Sequence, residues 1–463
     1  MKDSTKAKGK LKKVLSGAFT IIGIVTLLSG FKVAGTRNIS KNRGQDTSVS
    51  SVLKEMVSQG SGCYFPQSVR HFYEQNGYRL AWIAPDTAKT HASHAMLMLD
   101  CALQFGLNYT DYHPQELTYV KLNALTQQFG KHSAKEKATF DLLLTDALIT
   151  YINHLHYGKL NPEYPAEKID AGKVSSFDAV RILVKAIRQK DFDFMGVVLG
   201  VQPQSEAYKS LQYHLHLLTG LYTGDCYEIP DTTIRKMSVN LERLRWLNSD
   251  GNTYIDINIP SYTLTFHRPD TAYQFKVIVG KPGSPTPELQ SAIRYFTTLP
   301  AKNRPLSVNK PELQKVLTDS ALSERSTAGF SKVSGQTPGL AGISFKFDNR
   351  FGLTLHGLPG QKLFNRSERA LSDQTVFVEH SERLAKLLLK NDGQADKIAQ
   401  VHGAPAIAQA KTFGLKKAVP VRVTYFTCEV SGGVLTTYPD VYNVDRRLET
   451  LLYSTEQPLA VKQ

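Results

Sequence analysis

A chain of 463 residues is long enough for two or three domains that each bury a core, which excludes a disulfide-stapled mini-protein. With 41% hydrophobic, 10% aromatic and 21% charged residues, the bulk is neither disordered nor a bundle of membrane spans. The formal charge of +15 is uneven, because residues 1–43 hold ten Lys or Arg against Asp3 while the remainder carries +6, without a basic block or aromatic-basic interleaving, and this argues against a nucleic-acid partner.

Lys2, Lys6, Lys8, Lys10, Lys12 and Lys13 precede an apolar run from Val14 to Gly30, the layout of a secretory signal or signal anchor. As a helix this run reaches about 25 Å, slightly short of a hydrocarbon core, and Phe31 to Ala34 can extend it past Lys32. Val33-Ala34-Gly35 offers a weak cleavage site. Residues 1–35 are therefore expected to be a signal peptide or anchor, with the lysines in the cytoplasm and everything after residue 36 outside. Residues 36–51 read as a polar linker.

Residues 52–230 read as mainly helical. Phe140, Leu143, Leu144, Ala147, Leu148 and Tyr151 recur at helical spacing before Gly158, and Val180, Leu183, Val184 and Ile187 repeat the pattern. From about 238 the period changes to two in Tyr254 to Ile259, and Tyr262 to Phe266 and Phe275 to Val279 follow as short β runs, which puts a boundary near 225–238. Residues 302–337, rich in Lys, Ser and Gly, read as a lid or long excursion. Gly342 to Phe347 and Gly352 to His356 then read as strands, Ser381 to Lys390 as a helix, and Val419 to Thr427 with Val434 to Tyr438 as a hairpin around Ser431-Gly432-Gly433. The class is α+β: a helical domain, a mainly-β domain over 238–445 and a tail over 446–463.

Cys63, Cys101, Cys226 and Cys428 form no Cys-x-x-Cys pair, so no zinc site is written here. His154 with His156 and His214 with His216 are spaced i, i+2, which on a helix points them to different faces, and they read as ordinary helix histidines. No metal or cofactor is implied.

Val239-Asn240-Leu241-Glu242-Arg243-Leu244-Arg245-Trp246-Leu247, Ile257-Asn258-Ile259-Pro260, Val277-Ile278-Val279-Gly280-Lys281-Pro282, Leu355-His356-Gly357-Leu358-Pro359, Leu363-Phe364-Asn365-Arg366 and Arg369-Ala370-Leu371-Ser372 resemble, in order, the catalytic domain of the YcbB-type L,D-transpeptidases, a YkuD-like fold. Phe72-Tyr73 through Trp82, Gly106-Leu107, Tyr112-His113, Leu144-Thr145-Asp146-Ala147 and Gly158-Lys159-Leu160 look like that family's scaffold domain. The resemblance implies peptidoglycan as substrate and 3→3 cross-linking, in which a cysteine thioester carries the acyl group from a tetrapeptide stem to an amine of a neighbouring stem. It also implies a bacterial envelope location, periplasmic and exported or anchored in the cytoplasmic membrane. Larger relatives carry a small peptidoglycan-binding module between the two domains; here Tyr208 to Leu221 leads through Gly224-Asp225-Cys226 almost directly to Ile234 and leaves no room for it.

The family signature Ser-x-Gly-Cys-Val-Arg-Val corresponds here to Ser372-Asp373-Gln374-Thr375-Val376-Phe377-Val378, with His356 lying 19 positions before Thr375. The resemblance thus places His356, Ser372 and Thr375 at catalytic positions and Gly357, Arg366, Arg369, Gln374 and Phe377 at substrate-binding ones. A threonine hydroxyl ionises far less readily than a thiol. Gln374 replaces a glycine beside any oxyanion hole, and Phe377 replaces a forked cation with a ring bulky enough to fill its place.

Three readings follow. The first is a degenerate homologue that binds peptidoglycan stems, an active paralogue or a cell-wall synthesis complex without cross-linking. The second is a divergent working transpeptidase or carboxypeptidase using Thr375 with His356, or with Cys428 reaching the site. The third is a structural envelope protein with a closed groove.

Overall fold

The computed structural model describes residues 43–60, 62–84, 88–174, 177–189, 193–220, 231–247, 251–299, 342–358, 362–401 and 409–453. The expected leader over 1–35, the linker up to residue 42, the stretch Gly224 to Cys226, the excursion over 302–337 and residues 454–463 lie outside them. Among the described residues no helix is long and apolar enough to cross a membrane.

Among the described residues ten α-helices come first: α1 (Arg43–Gln59), α2 (Pro66–Gln75), α3 (Ala88–Asp100), α4 (Tyr119–Gln127), α5 (Ala134–Tyr157), α6 (Ala166–Asp170), α7 (Ala179–Ile187), α8 (Phe194–Val201), α9 (Glu206–Gly220) and α10 (Asp231–Arg245). The expected linker is shortened by α1, because Val49 joins Leu53 and Val57 in one buried i, i+4, i+8 stripe that the polar residues around Val49 hide in the sequence. At the centre stands α5. Ser133 and Glu136 cap its start reciprocally, and Gly158 at φ +88 ends it.

Buried polar groups on α5 hold the surrounding loops. Asp141 accepts hydrogen bonds from Ala81 N at 2.9 Å, Trp82 N at 2.8 Å and Tyr73 Oη at 2.7 Å, and Asp146 accepts from Tyr64 N and Phe65 N at 3.0 Å each while lying 2.7 Å from His113 Nε2. Loop amides that would otherwise be buried unpaired are satisfied in this way. The helix histidines are held likewise: His154 Nδ1 meets Tyr112 Oη at 3.2 Å, and His156 stacks on Phe177 with ring centres 3.7 Å apart.

The second half is a mixed barrel. Its strands are β1 (Tyr254–Asn258), β2 (Thr263–Arg268), β3 (Thr271–Gly280), β4 (Leu289–Leu299), β5 (Gly342–Phe347), β6 (Leu355–Gly357), β7 (Ala370–Ser372), β8 (Val376–Val378) and β9 (Lys411–Thr424), ordered β2-β1-β9-β4-β5-β6-β8-β3-β7, with β2 also pairing β3 to close the ring. Ile255, Ile257, Phe266, Phe345, Leu355, Val376 and Val378 fill its interior with α11 (Ser381–Asn391) packed against them through Leu384 and Leu388. The expected hairpin divides in two. Val419 to Thr424 belongs to β9 in the barrel, and the turn at Gly432-Gly433 joins β10 (Cys428–Ser431) to β11 (Val434–Thr437) instead.

α10 joins the halves. Its Asn240 donates to Thr427 Oγ1 at 2.9 Å and accepts from Thr427 N at 2.9 Å, and its Arg243 lies 2.6 Å from Asp445, whose other oxygen accepts from Thr427 Oγ1. Its Glu242 and Arg245 turn to the helical half: Glu242 accepts from Leu160 N at 2.7 Å, and Arg245 donates to the Phe105 carbonyl and to Tyr208 Oη at 2.9 Å. The boundary expected near 225–238 is therefore a shared helix. The expected tail is likewise a helix over its first part, α12 (Asp445–Tyr453), tied down where Lys159 Nζ donates to the Leu452 carbonyl at 3.1 Å and Asn108 Nδ2 to that of Tyr453 at 3.3 Å. Its acceptors are backbone carbonyls, which carry no sequence signal.

Two outcomes check this. Asn240→Ala leaves the buried Thr427 N–H unpaired and is expected to cost about 1–3 kcal/mol in chemical denaturation. Burial pushes the Asp141 carboxyl up to about 6 against its loop hydrogen bonds, so the folded state holds this proton more tightly than the unfolded chain and its contribution to stability falls as pH rises from 4 to 6. Melting curves of Asp141→Asn should lack that slope while lying lower throughout, because the amide cannot accept all the loop donors.

Candidate active site

Three adjacent strands set the site. His356 on β6 stands opposite Ser344 on β5 and Phe377 on β8, and Phe377 stands opposite Ile278 on β3. Because side chains alternate along a strand, Leu355, Val376 and Val378 point into the barrel and put His356 and Phe377 together on its outer face, with ring centres 6.4 Å apart. A Cβ on Gly357 would collide with Ser381 Oγ, so this position is a packing glycine where α11 begins.

Thr375 directly precedes β8, half-buried, straight after a tight turn. Gln374 sits at the centre of that turn at φ +62, with Thr375 N donating to the Asp373 carbonyl at 2.7 Å, a γ-type closure. Glutamine thus occupies a left-handed conformation that glycine adopts without strain. Gln374 N donates to Ser284 O at 3.2 Å and Val376 N to Thr354 O at 3.0 Å, so the three successive amides around Thr375 all point at carbonyls. Among the described residues, Thr375 Oγ1 makes no hydrogen bond.

Ser372 is fully buried and its hydroxyl donates to the Thr375 carbonyl, while Lys281 N donates to the Ser372 carbonyl at 2.8 Å. It braces the turn. Lys281 Nζ pairs with Asp373 at 2.6 Å beside it. Two residues that the sequence left without a role complete the frame: Thr286 Oγ1 donates to the Gln374 carbonyl and accepts from Gly280 N, both at 2.8 Å, and Tyr442 Oη donates to the Gly280 carbonyl at 2.7 Å. Tyr442 is 162 residues from Gly280, and no local pattern announces the pairing.

The two arginines differ. Arg369 is spent on backbone, donating to the carbonyls of Val277, Arg366 and Tyr262 at 3.1, 2.7 and 3.0 Å, and burial lowers its guanidinium pKa. Arg366 is exposed. Phe377 is buried against Ile278, Leu363 and Phe364, with Leu358 and Leu371 alongside. An arginine put back here alone would enter an apolar cluster without a counter-charge. Cys428 belongs to a different cluster, under α9 and α10 with Leu215, Met237 and Leu241, and burial pushes its thiol up to about 12, which removes it as a nucleophile.

Gln374→Gly should relieve the left-handed strain and raise stability by up to about 1 kcal/mol, whereas Gln374→Val should lower it, both read from denaturation midpoints.

A family model described as Scaffold domain matches residues 67–215, within the helical half. A Haemophilus influenzae protein named "Putative L,D-transpeptidase" is 28% identical over 243 residues, covering 46% of this chain and 49% of the relative, so the match spans about half of that protein's length. With a scaffold-domain match in its helical half, which leads through α10 into a β barrel, the chain is similar to the L,D-transpeptidases.

Proposed function

We propose that this chain is a peptidoglycan-binding member of its family that does not form cross-links, held at the outer side of the cytoplasmic membrane of a bacterium by its N-terminal segment. An active paralogue or a cell-wall synthesis complex would be its partner. The observation that carries the reading is the state of Thr375. Its hydroxyl lacks a hydrogen bond to His356 or to any other described residue, and its own N–H and those on either side are bonded to carbonyls.

Acyl transfer needs two things at this point: a nucleophile that gives up its proton, and donors aimed at the oxyanion of the tetrahedral intermediate. A threonine without a base supplies no nucleophile, and committed amides supply no hole. Losing the nucleophile alone costs a well-studied triad roughly a million-fold in turnover. The exposed Arg366 and Gln374 and the Lys281–Asp373 pair at the rim still offer charge and hydrogen bonds to a stem peptide, whose carboxylates suit a cation.

The second reading, a working enzyme with Thr375 as nucleophile and His356 as base, draws on the proximity of β6 and β8. Mass spectrometry of tetrapeptide muropeptides incubated with the full-length chain separates the two. The expected result is unchanged muropeptide with the native protein and with Thr375→Ala, together with binding of the tetrapeptide that Arg366→Ala weakens several-fold. Dimer or tripeptide product from the native chain that disappears in Thr375→Ala would overturn the proposal. Absence of both product and binding would leave a purely structural role.

A further inference from the structure

Much of the modest excess charge of residues 44–463 is gathered by the fold. Residues 380–417 hold seven Lys or Arg against three Asp or Glu, which is +4 of the +6 carried by residues 44–463. The chain folds this stretch onto itself. Asp392, just past α11, accepts the amides of Lys416 and Lys417 at 2.6 and 2.9 Å, Gln394 Nε2 donates to the Gly414 carbonyl at 2.8 Å, and Lys411 Nζ donates to Gln400 at 2.6 Å. The helix, the 3-10 turn Ala395–Gln400 and the start of β9 thus form one basic region.

A groove runs along it. Arg383, Lys386 and Lys390 follow one another at i, i+3 and i+7, which places them on one face of α11 over about 10 Å of helix. With His380 they rim an open groove of about 530 Å³ floored by Leu387 and Ile398. Glu382 lines it too, but Lys386 neutralises it at 2.5 Å. The Arg383 guanidinium lies over the rings of Tyr273 and Phe275, 5.9 and 5.6 Å from their centres, which fixes its stem and leaves its donors without a carboxylate among the described residues. Lys390 is exposed and likewise lacks one.

The cations are strung along a line and do not converge, which suits several separated carboxylates better than a single phosphate. The apolar floor is recessed, which suits a chain segment better than a flat lipid surface. An extended peptide sets alternate side chains on one face about 6–7 Å apart, a spacing that lets two carboxylates reach Arg383 and Lys390. We propose that this groove docks an extended acidic segment of a partner protein, with its carboxylates on Arg383 and Lys390 and an aliphatic side chain on Leu387 and Ile398. The proposal is independent of the Thr375 turn and of whether a stem binds there.

The test is fluorescence anisotropy of a labelled Glu-Leu-Glu-Leu-Glu peptide with the full-length chain. Binding should weaken at least about tenfold in Arg383→Glu combined with Lys390→Glu, and several-fold when salt rises from about 50 to about 500 mM. Melting curves of the double variant and of the milder Lys390→Gln check that the fold survives, and the milder variant should weaken binding in proportion. Carbodiimide coupling of the peptide should fall on Lys386 or Lys390. Affinity unchanged in both variants, or coupling confined to lysines elsewhere, would overturn the proposal. So would displacement by a free tetrapeptide stem, or binding of phosphatidylglycerol vesicles to this face in place of the peptide.

Discussion

Everything else in the structure leans on the buried polar face of α10. Asn240 and Arg243 reach Thr427 and Asp445 of the second half, while Glu242 and Arg245 reach Leu160, Phe105 and Tyr208 of the first. Glu242, Arg243 and Arg245 are each at most 4% exposed, so every one of these charges would be costly without its partner. The consequence is specificity of docking more than bulk stability: an apolar seam could slide, whereas a set of paired donors and acceptors fits in one register. It also passes into the barrel, because Arg243 lies over Tyr425, whose hydroxyl donates to Asp440 at 2.7 Å and accepts from Tyr442 N at 2.7 Å, and Tyr442 braces Gly280 beside the site.

The same logic explains the scaffold motifs. Tyr73, Trp82, His113, Asp146 and Lys159 look like scattered signature residues, yet in the fold each is one end of a hydrogen bond that fastens a loop or a terminus to α5 or to its end. They hold loops whose amides have no strand or helix to pair with. Their role is architectural, and none of them faces the Thr375 turn through any contact described above.

At the site, strand alternation and turn geometry act together. The barrel interior claims Val376 and Val378, which forces residue 377 onto the outer face, and there a phenylalanine is stable only if covered; Leu363 and Phe364 cover it. The turn before it retains a left-handed residue although a glutamine stands there, so the backbone path is imposed by the bracing of Ser372, Thr286 and Ser284 and not by local preference.

The sequence by itself determined the two-part architecture, the helices α5, α7 and α11 and the strands β1, β2, β3 and β5, because these rest on periodicities written in consecutive residues. It left the first part of α1 and the whole of α12 unseen, since Val49 is one apolar residue among polar ones and the ties of α12 are carbonyls. Only the tertiary structure decided that Arg369 clamps backbone, that Ser372 braces a turn, that Phe377 is packed away, that Tyr442 frames the site and that Arg383, Lys386 and Lys390 rim a groove. Each of these depends on which distant segment lies alongside. That is settled by barrel closure and by the partners of α10, and neither leaves a mark in local sequence.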